Sequence, residues 1–204
     1  MGGALNGLTI LVPESRELDL FAGMLEAQGA RAWRCPLVGI ADLDDDNQAQ
    51  AWIARMIAAP FDLTILLTGE GLRRLVSLCG PRQDAFIAAL GKSRTVTRGP
   101  KPARALREIG LTPGLAAAVP TSQGVLESLA QEPLEGRRIG VQLYPGDGGL
   151  PLVEALRGRG AQVFPVRLAR WVPEPVSRAS ARSHAKPAPV WDRGSRCGFF
   201  PRRR

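Results

Sequence analysis

Leu63-Thr64-Ile65-Leu66-Leu67-Thr68-Gly69-Glu70-Gly71-Leu72 is the phrase on which the fold turns. Its five apolar or β-branched leading residues have the length of a buried strand, too short for a helix that must bury a stripe. Thr68-Gly69-Glu70-Gly71 then supplies a capping hydroxyl and small residues, and Leu72, Leu75 and Val76 follow at helical spacing. A strand, a tight polar loop and an amphipathic helix in that order make the repeating step of a parallel sheet.

The step recurs on both sides. Upstream, Leu8–Val12 reads as a strand, and Ser15 stands ready to cap a helix with Leu18, Phe21, Ala22 and Leu25 on one face, closing at Gly29. Ala32–Cys35 and Leu37–Ile40 read as extended segments. The acidic run Asp42–Asp46 leads into a helix with Trp52, Ile53, Met56 and Ile57 inward. Downstream, a helix around Phe86, Ile87 and Leu90 precedes a strand at Thr95–Thr97. Arg98-Gly99-Pro100-Lys101 opens a helix ending at Gly110, its prolines suited to a first turn where an N–H is not needed. Leu115–Val119 reads as a strand, Thr121-Ser122 as a cap, Arg138–Tyr144 as a strand, Pro145–Gly149 as a turn and Gln162–Val166 as a last strand.

Alternating strands and helices predict an α/β protein with parallel sheets. Residues 40–168 hold enough steps for one continuous domain, whereas 1–35 hold a single strand–helix–strand unit, too little for a domain by itself. The pattern stops after Trp171. Residues 177–204 contain seven Arg and one Lys against one Asp, no Leu or Ile, and three Pro. Such a composition cannot offset chain entropy by burial, so this tail is expected to be disordered and outside the fold. It also accounts for the formal charge of +8: residues 1–176 carry 19 basic against 18 acidic residues. The charge therefore gives no reason to expect nucleic acid as a partner of the folded part.

Much chemistry is excluded. The single histidine, His184, lies in the tail, so the body has no Ser-His-Asp or Cys-His arrangement and no histidine metal site. Glycine patterns for dinucleotides or for a P-loop are absent, and three consecutive acids at Asp44–Asp46 cannot all face one ion. Cys35, Cys79 and Cys197 are too scattered for a disulfide framework. No apolar run reaches membrane-spanning length and no secretory signal is read at the N-terminus, so a cytoplasmic protein with no membrane contact is expected. What remains is a set of loops at strand carboxyl ends: Thr68–Gly71, Arg98–Lys101, Thr121–Gly124 and Gly146–Gly149. Helix starts favour anions, and open α/β sheets bind ligands at this edge. A polyanionic small molecule fits them.

The ordered phrases Glu14-Ser15-Arg16, Asp62-Leu63 into Leu67-Thr68-Gly69, Arg98-Gly99-Pro100-Lys101-Pro102 with Ala105–Leu111, Gly136–Tyr144, Glu154-Ala155-Leu156, Gly160-Ala161 and Arg170–Pro173 resemble the uroporphyrinogen-III synthase family over about 165 residues. The resemblance implies two flavodoxin-like parallel-sheet domains joined by extended linkers, with substrate in the cleft. Residues 1–35 would belong to a domain whose other part is missing here, replaced by the basic stretch, as after a change of reading frame near Val176.

It further implies cyclisation of hydroxymethylbilane, with inversion of ring D, to uroporphyrinogen III: a cofactor-free lyase reaction of porphyrin (heme) biosynthesis. A monomer is expected. Carried over residue by residue, substrate contacts fall on Thr68, Gly69, Gly99, Pro100, Lys101, Thr121 and Ser122, faced by Glu14, Ser15 and Arg16. Many family members carry a tyrosine at the linker to help the hydroxyl depart. Ala169 stands there, and Tyr144, at the end of another strand, is not assigned that role. Because the strand–helix pattern stops after Trp171 and half of one cleft wall would be absent, little or no synthase activity is expected. The alternative is a non-catalytic ligand-binding or regulatory module with a basic tail.

Overall fold

A computed structural model describes residues 3–15, 17–146 and 148–173. Arg16 and the expected tail, 177–204, lie outside the described residues, and with the tail go His184 and Cys197. The chain divides at Leu37/Val38 into two units, taken here one at a time.

The N-terminal unit consists of β1 (Thr9–Val12), α1 (Leu18–Ala27) and β2 (Arg31–Arg34). The strands run parallel, Thr9 opposite Arg31 through Val12 opposite Arg34. Arg34 ties strand to helix: its guanidinium donates to Asp19 at 3.0 Å and to Glu26 at 2.7 Å, and this bond holds the Glu26 carboxyl below its ordinary range. Burial is thin. Among the described residues of this unit only Val12, Ala22 and Ala30 are buried apolar side chains. Phe21 is 45% exposed and Leu25 only partly covered, so the inward stripe expected for α1 is not closed over. The helix also starts later than Ser15 suggests. Glu17 is its N-cap, without a side-chain cap bond, because the turn between β1 and α1 extends two residues past the serine.

The second unit, Val38–Pro173, begins with β3 (Val38–Asp42) and α2 (Asn47–Ala58). Then come β4 (Leu63–Leu66), α3 (Gly69–Leu78), a 3-10 turn at Gly80–Arg82, α4 (Gln83–Lys92), β5 (Arg94–Thr97) and α5 (Pro100–Glu108). The chain continues through β6 (Leu115–Ala116), α6 (Ser122–Ser128), β7 (Arg138–Gln142), α7 (Leu150–Gly158), β8 (Gln162–Val166) and β9 (Ala169–Pro173). Five strands form one parallel sheet in the order β6-β5-β4-β7-β8. The fold is α/β. Crossovers proceed from β4 outward to β6, then return to the other side of β4, so the direction of winding reverses between β4 and β7.

Both faces of the sheet are covered, which is why β4 is buried at all four positions. Leu66 points into a cluster with Trp52, Met56, Phe61, Leu75, Phe86 and Leu106; Ile65 points the other way, among Val96, Val125, Leu129, Val141 and Leu156. Gly140 in β7 is where the first cluster comes closest to backbone: an ideal Cβ there would lie 2.4 Å from the Phe61 ring. Gly110 and Gly160 take φ of +79° and +80° just past α5 and α7, the left-handed conformation that ends a helix without a Cβ penalty.

Two strand readings shift. Leu115–Val119 contracts to Leu115–Ala116, because this edge strand turns early: the Thr121 N–H donates to the Val119 carbonyl at 2.8 Å and so closes a tight turn at Pro120. The segments around Ile40 and Trp171 pair with each other as an antiparallel ribbon, Val38 opposite Pro173 and Asp42 opposite Ala169. Asp44 of the acidic run binds Arg170 of β9 at 3.1 Å, and the Asp45 carboxylate accepts from the Asn47 N–H at 2.8 Å. Those acids are local anchors.

Candidate functional site

Four chain segments leave the carboxyl ends of β4, β5, β6 and β7 on one edge of the sheet, and contacts link all four. Thr68 is the N-cap of α3, its hydroxyl accepting from the Gly71 N–H at 3.0 Å; Thr121 caps α6 in the same way through the Gly124 N–H at 2.9 Å. Each cap satisfies one orphan donor and leaves the preceding first-turn N–H groups facing outward. Gly69 lies against the start of α5: an ideal Cβ would sit 2.6 Å from the Lys101 carbonyl oxygen. Gly99 in turn lies against Pro120, 3.2 Å by the same measure. The structure thus brings Thr68, Gly69, Gly99, Pro100, Lys101, Thr121 and Ser122 onto one continuous edge.

The three helix starts are not equivalent. Proline at positions 100 and 102 removes two of the first backbone donors of α5, leaving the Lys101 N–H and ammonium. That helix has no acidic residue in its first turn. At α3 the Thr68 hydroxyl is already engaged. It donates toward the Gln142 side-chain oxygen at 3.4 Å, and the same oxygen accepts the Thr68 N–H at 3.1 Å. The Gln142 amide group donates onward to the Leu143 carbonyl. Gln142 is 1% exposed. The donors left at the α3 start are therefore the Gly69 and Glu70 N–H groups rather than the threonine hydroxyl. Glu70 itself is held by Arg74, Oε1 to Nε 3.1 Å, and Arg74 also pairs with Asp42.

Sequence reasoning missed Gln142, and it placed Arg98 in an anion-facing loop without counting it among the substrate contacts. The guanidinium of Arg98 lies 5.1 Å from the centre of the Tyr144 ring, reaching from the end of β5 to the segment after β7. Neither contact is announced by a local pattern.

Glu14 and Ser15 belong to the N-terminal unit, where the Ser15 N–H donates to the Glu14 carboxylate at 2.8 Å. Arg16 lies outside the described residues. Ala169 is 5% exposed and opposes Asp42. A cavity of about 440 Å³ runs along the flank of α3, lined by Asp42, Asp46, Glu70, Arg73, Arg74 and Leu168 among others. It touches the sheet edge only at Glu70. Arg73 and Arg74 are already paired there, with Glu108 and with Glu70 and Asp42. Among the described residues no helix is long and apolar enough to cross a membrane, and no group of three metal-ligating side chains converges.

Comparison with known proteins gives one consistent picture. The family model of uroporphyrinogen-III synthase HemD matches residues 19–191. A Bacillus subtilis (strain 168) protein bearing the name uncharacterized protein YjjA is 29% identical over 168 residues, 81% of this chain and 62% of that protein. Two crystal structures of uroporphyrinogen III synthase from the extremely thermophilic bacterium Thermus thermophilus are similar at 25% identity. The selenomethionine mutant has a TM-score of 0.69, covering 82% of this chain and 64% of that one. The native form has a TM-score of 0.60, with 82% and 63% covered. This chain thus spans less than two thirds of the length of these relatives.

Proposed function

The chain belongs to the uroporphyrinogen-III synthase HemD family, and from that premise we propose that its sheet edge binds hydroxymethylbilane for cyclisation, with inversion of ring D, to uroporphyrinogen III. The observation that carries this reading is the contact of the α3 start with the α5 start, and of Gly99 with the Pro120 turn. It aligns the Gly69, Glu70, Lys101, Ser122 and Gln123 N–H groups along one edge. Hydroxymethylbilane carries eight carboxylates, and aligned first-turn N–H groups with a neighbouring ammonium suit several of them at once. The reaction needs little acid–base help, because the pyrrole nitrogen itself drives loss of the hydroxyl. The harder task is holding a flexible chain so that the substituted carbon of ring D attacks, giving a spiro intermediate. Orientation of this kind is worth about 7–11 kcal/mol of barrier when geometry is good.

Thr68, Gly69, Gly99, Pro100, Lys101, Thr121 and Ser122 are the proposed contacts on this unit, with Glu14, Ser15 and Arg16 contributing from the N-terminal unit. At position 169 the family's tyrosine is replaced by a buried alanine that offers no proton. This favours a second reading, binding with little turnover. Both are read in one experiment, in which the full chain is mixed with freshly made hydroxymethylbilane and the uroporphyrinogen isomers are separated over time. The expected result is that the chain retards spontaneous closure to the type I isomer by sequestering substrate, with type III appearing only slowly. Rapid type III formation would overturn the expectation of weak turnover and keep the synthase reading. An unchanged rate of type I closure, with no type III, would overturn both.

A further inference from the structure

Resting on that reading of the edge, we propose that Arg98 is its principal carboxylate receptor, with the ring of Tyr144 holding the guanidinium in place. Three observations converge on it. Arg98 and Tyr144 flank β4 from the ends of β5 and β7, so their 5.1 Å contact spans the end of the strand beside which the winding of the sheet reverses. Open α/β sheets take their ligands outside the carboxyl ends of the strands at that point. The strand ends beneath the contact are fixed: the Arg98 N–H donates to the Leu66 carbonyl at 3.1 Å, and the Leu67 N–H to the Gln142 carbonyl at 3.3 Å.

Second, no carboxylate among the described residues pairs with the Arg98 guanidinium, although it is half-buried. Arg138 also lies over aromatic rings, but its guanidinium donates to the carbonyls of Ala59 and Pro60. The nearby acid, Glu70, is taken by Arg74. A guanidinium resting on a ring face keeps its planar N–H fork for a carboxylate to meet bidentately.

Third, the charge is badly placed unless an anion joins it. Arg98 and Lys101 both stand at the amino end of α5, where the helix dipole is positive and the first turn holds no acid. A bound carboxylate reverses that repulsion. The Tyr144 hydroxyl lies close over Gly148, where an ideal Cβ would come within 2.4 Å of it.

The test uses the full chain and uroporphyrin I, a stable octacarboxylate, followed by fluorescence, with benzene-1,3,5-tricarboxylate as a carboxylate probe lacking pyrroles. Arg98→Gln is expected to weaken uroporphyrin I binding by about 10- to 100-fold, the worth of a charged hydrogen-bonded contact. Arg98→Lys should fall between wild type and glutamine, because it keeps the charge and loses the fork. Tyr144→Phe should bind as wild type and Tyr144→Leu several-fold more weakly. Melting temperatures of each variant report the fold; if Arg98→Gln does not fold, Arg98→Lys and Tyr144→Leu decide. Wild-type affinity in all folded Arg98 and Tyr144 variants overturns the proposal while the tetrapyrrole reading stands. Binding of the tricarboxylate alone, lost in Arg98→Gln, supports Arg98 and overturns the tetrapyrrole reading. Binding of neither probe by wild type overturns both.

Discussion

Thr68 and Gln142 are 74 positions apart and share one oxygen atom at the centre of the candidate edge. The local half of that arrangement is legible in the sequence. Thr68 to Gly71 and Thr121 to Gly124 are threonine caps three residues ahead of the N–H they accept, an offset fixed by helix geometry. The other half is not, because a buried glutamine at the end of a strand looks like any strand residue until the parallel neighbour is known. The close approach of Gly69 is of the second kind as well. Gly69→Ala must push against the Lys101 carbonyl, backbone that cannot rotate away, and is expected to cost about 1–3 kcal/mol of stability in denaturant unfolding. A neutral result would mean that the two helix starts are not in contact. Cys79, buried and donating to the Leu75 carbonyl at 3.1 Å, has its thiol pushed up by burial to about 11. Its protonated form is favoured by folding, so its contribution is complete below the ordinary thiol pKa and is lost as pH rises toward 11. In the folded chain at pH 8 it should resist thiol reagents that label it readily in guanidinium.

Elements with a complete set of local signals emerge where the sequence puts them. In α2, the inward positions Trp52, Ile53 and Met56 are fully covered, and Trp52 Nε1 donates to the Phe164 carbonyl at 2.9 Å. β6 is shorter than its apolar run because a sheet-edge strand has a partner on one side only, and the turn at Pro120 competes for its last residues. α1 falls short in another way: its apolar residues have the right spacing, but the two strands beside it offer too little surface to cover them. Burying a large apolar side chain is worth about 1.5–3 kcal/mol, and among its described residues this unit buries one valine and two alanines. Hydrogen exchange should therefore be fast in β1 and β2 and slow in β4, β5 and β7. Protection of Leu8–Val12 equal to that of Leu63–Leu66 would contradict this. The Arg34 clip adds an acid dependence. Glu26 has a lowered pKa, so its contribution is present above the usual carboxylate range and lost as pH falls through the lowered value. At the other unit, Thr121→Ala should cost about 1 kcal/mol, the value of an N-cap.

At the scale of the whole molecule, the class of fold was readable from the alternation of strands and helices, since each step carries its own periodicity. The strand order was not, because nothing local states that the chain returns past β4 after β6. That return decides the candidate site: it sets Gln142 beside Thr68 and Tyr144 within reach of Arg98. The loops at strand ends could be named from sequence as anion-facing. Their contact with one another follows from the order of the sheet. The central claim is that a polycarboxylate tetrapyrrole lies on that edge, and amide-resolved hydrogen exchange of the full chain with and without uroporphyrin I tests it most directly. The account predicts added protection at the amides of residues 69, 70, 101, 122 and 123, with none at the opposite edge around Asp62 and Arg138. Protection confined to that opposite edge or to the flank of α3 beside Ser77, or no change at saturating ligand, would contradict it.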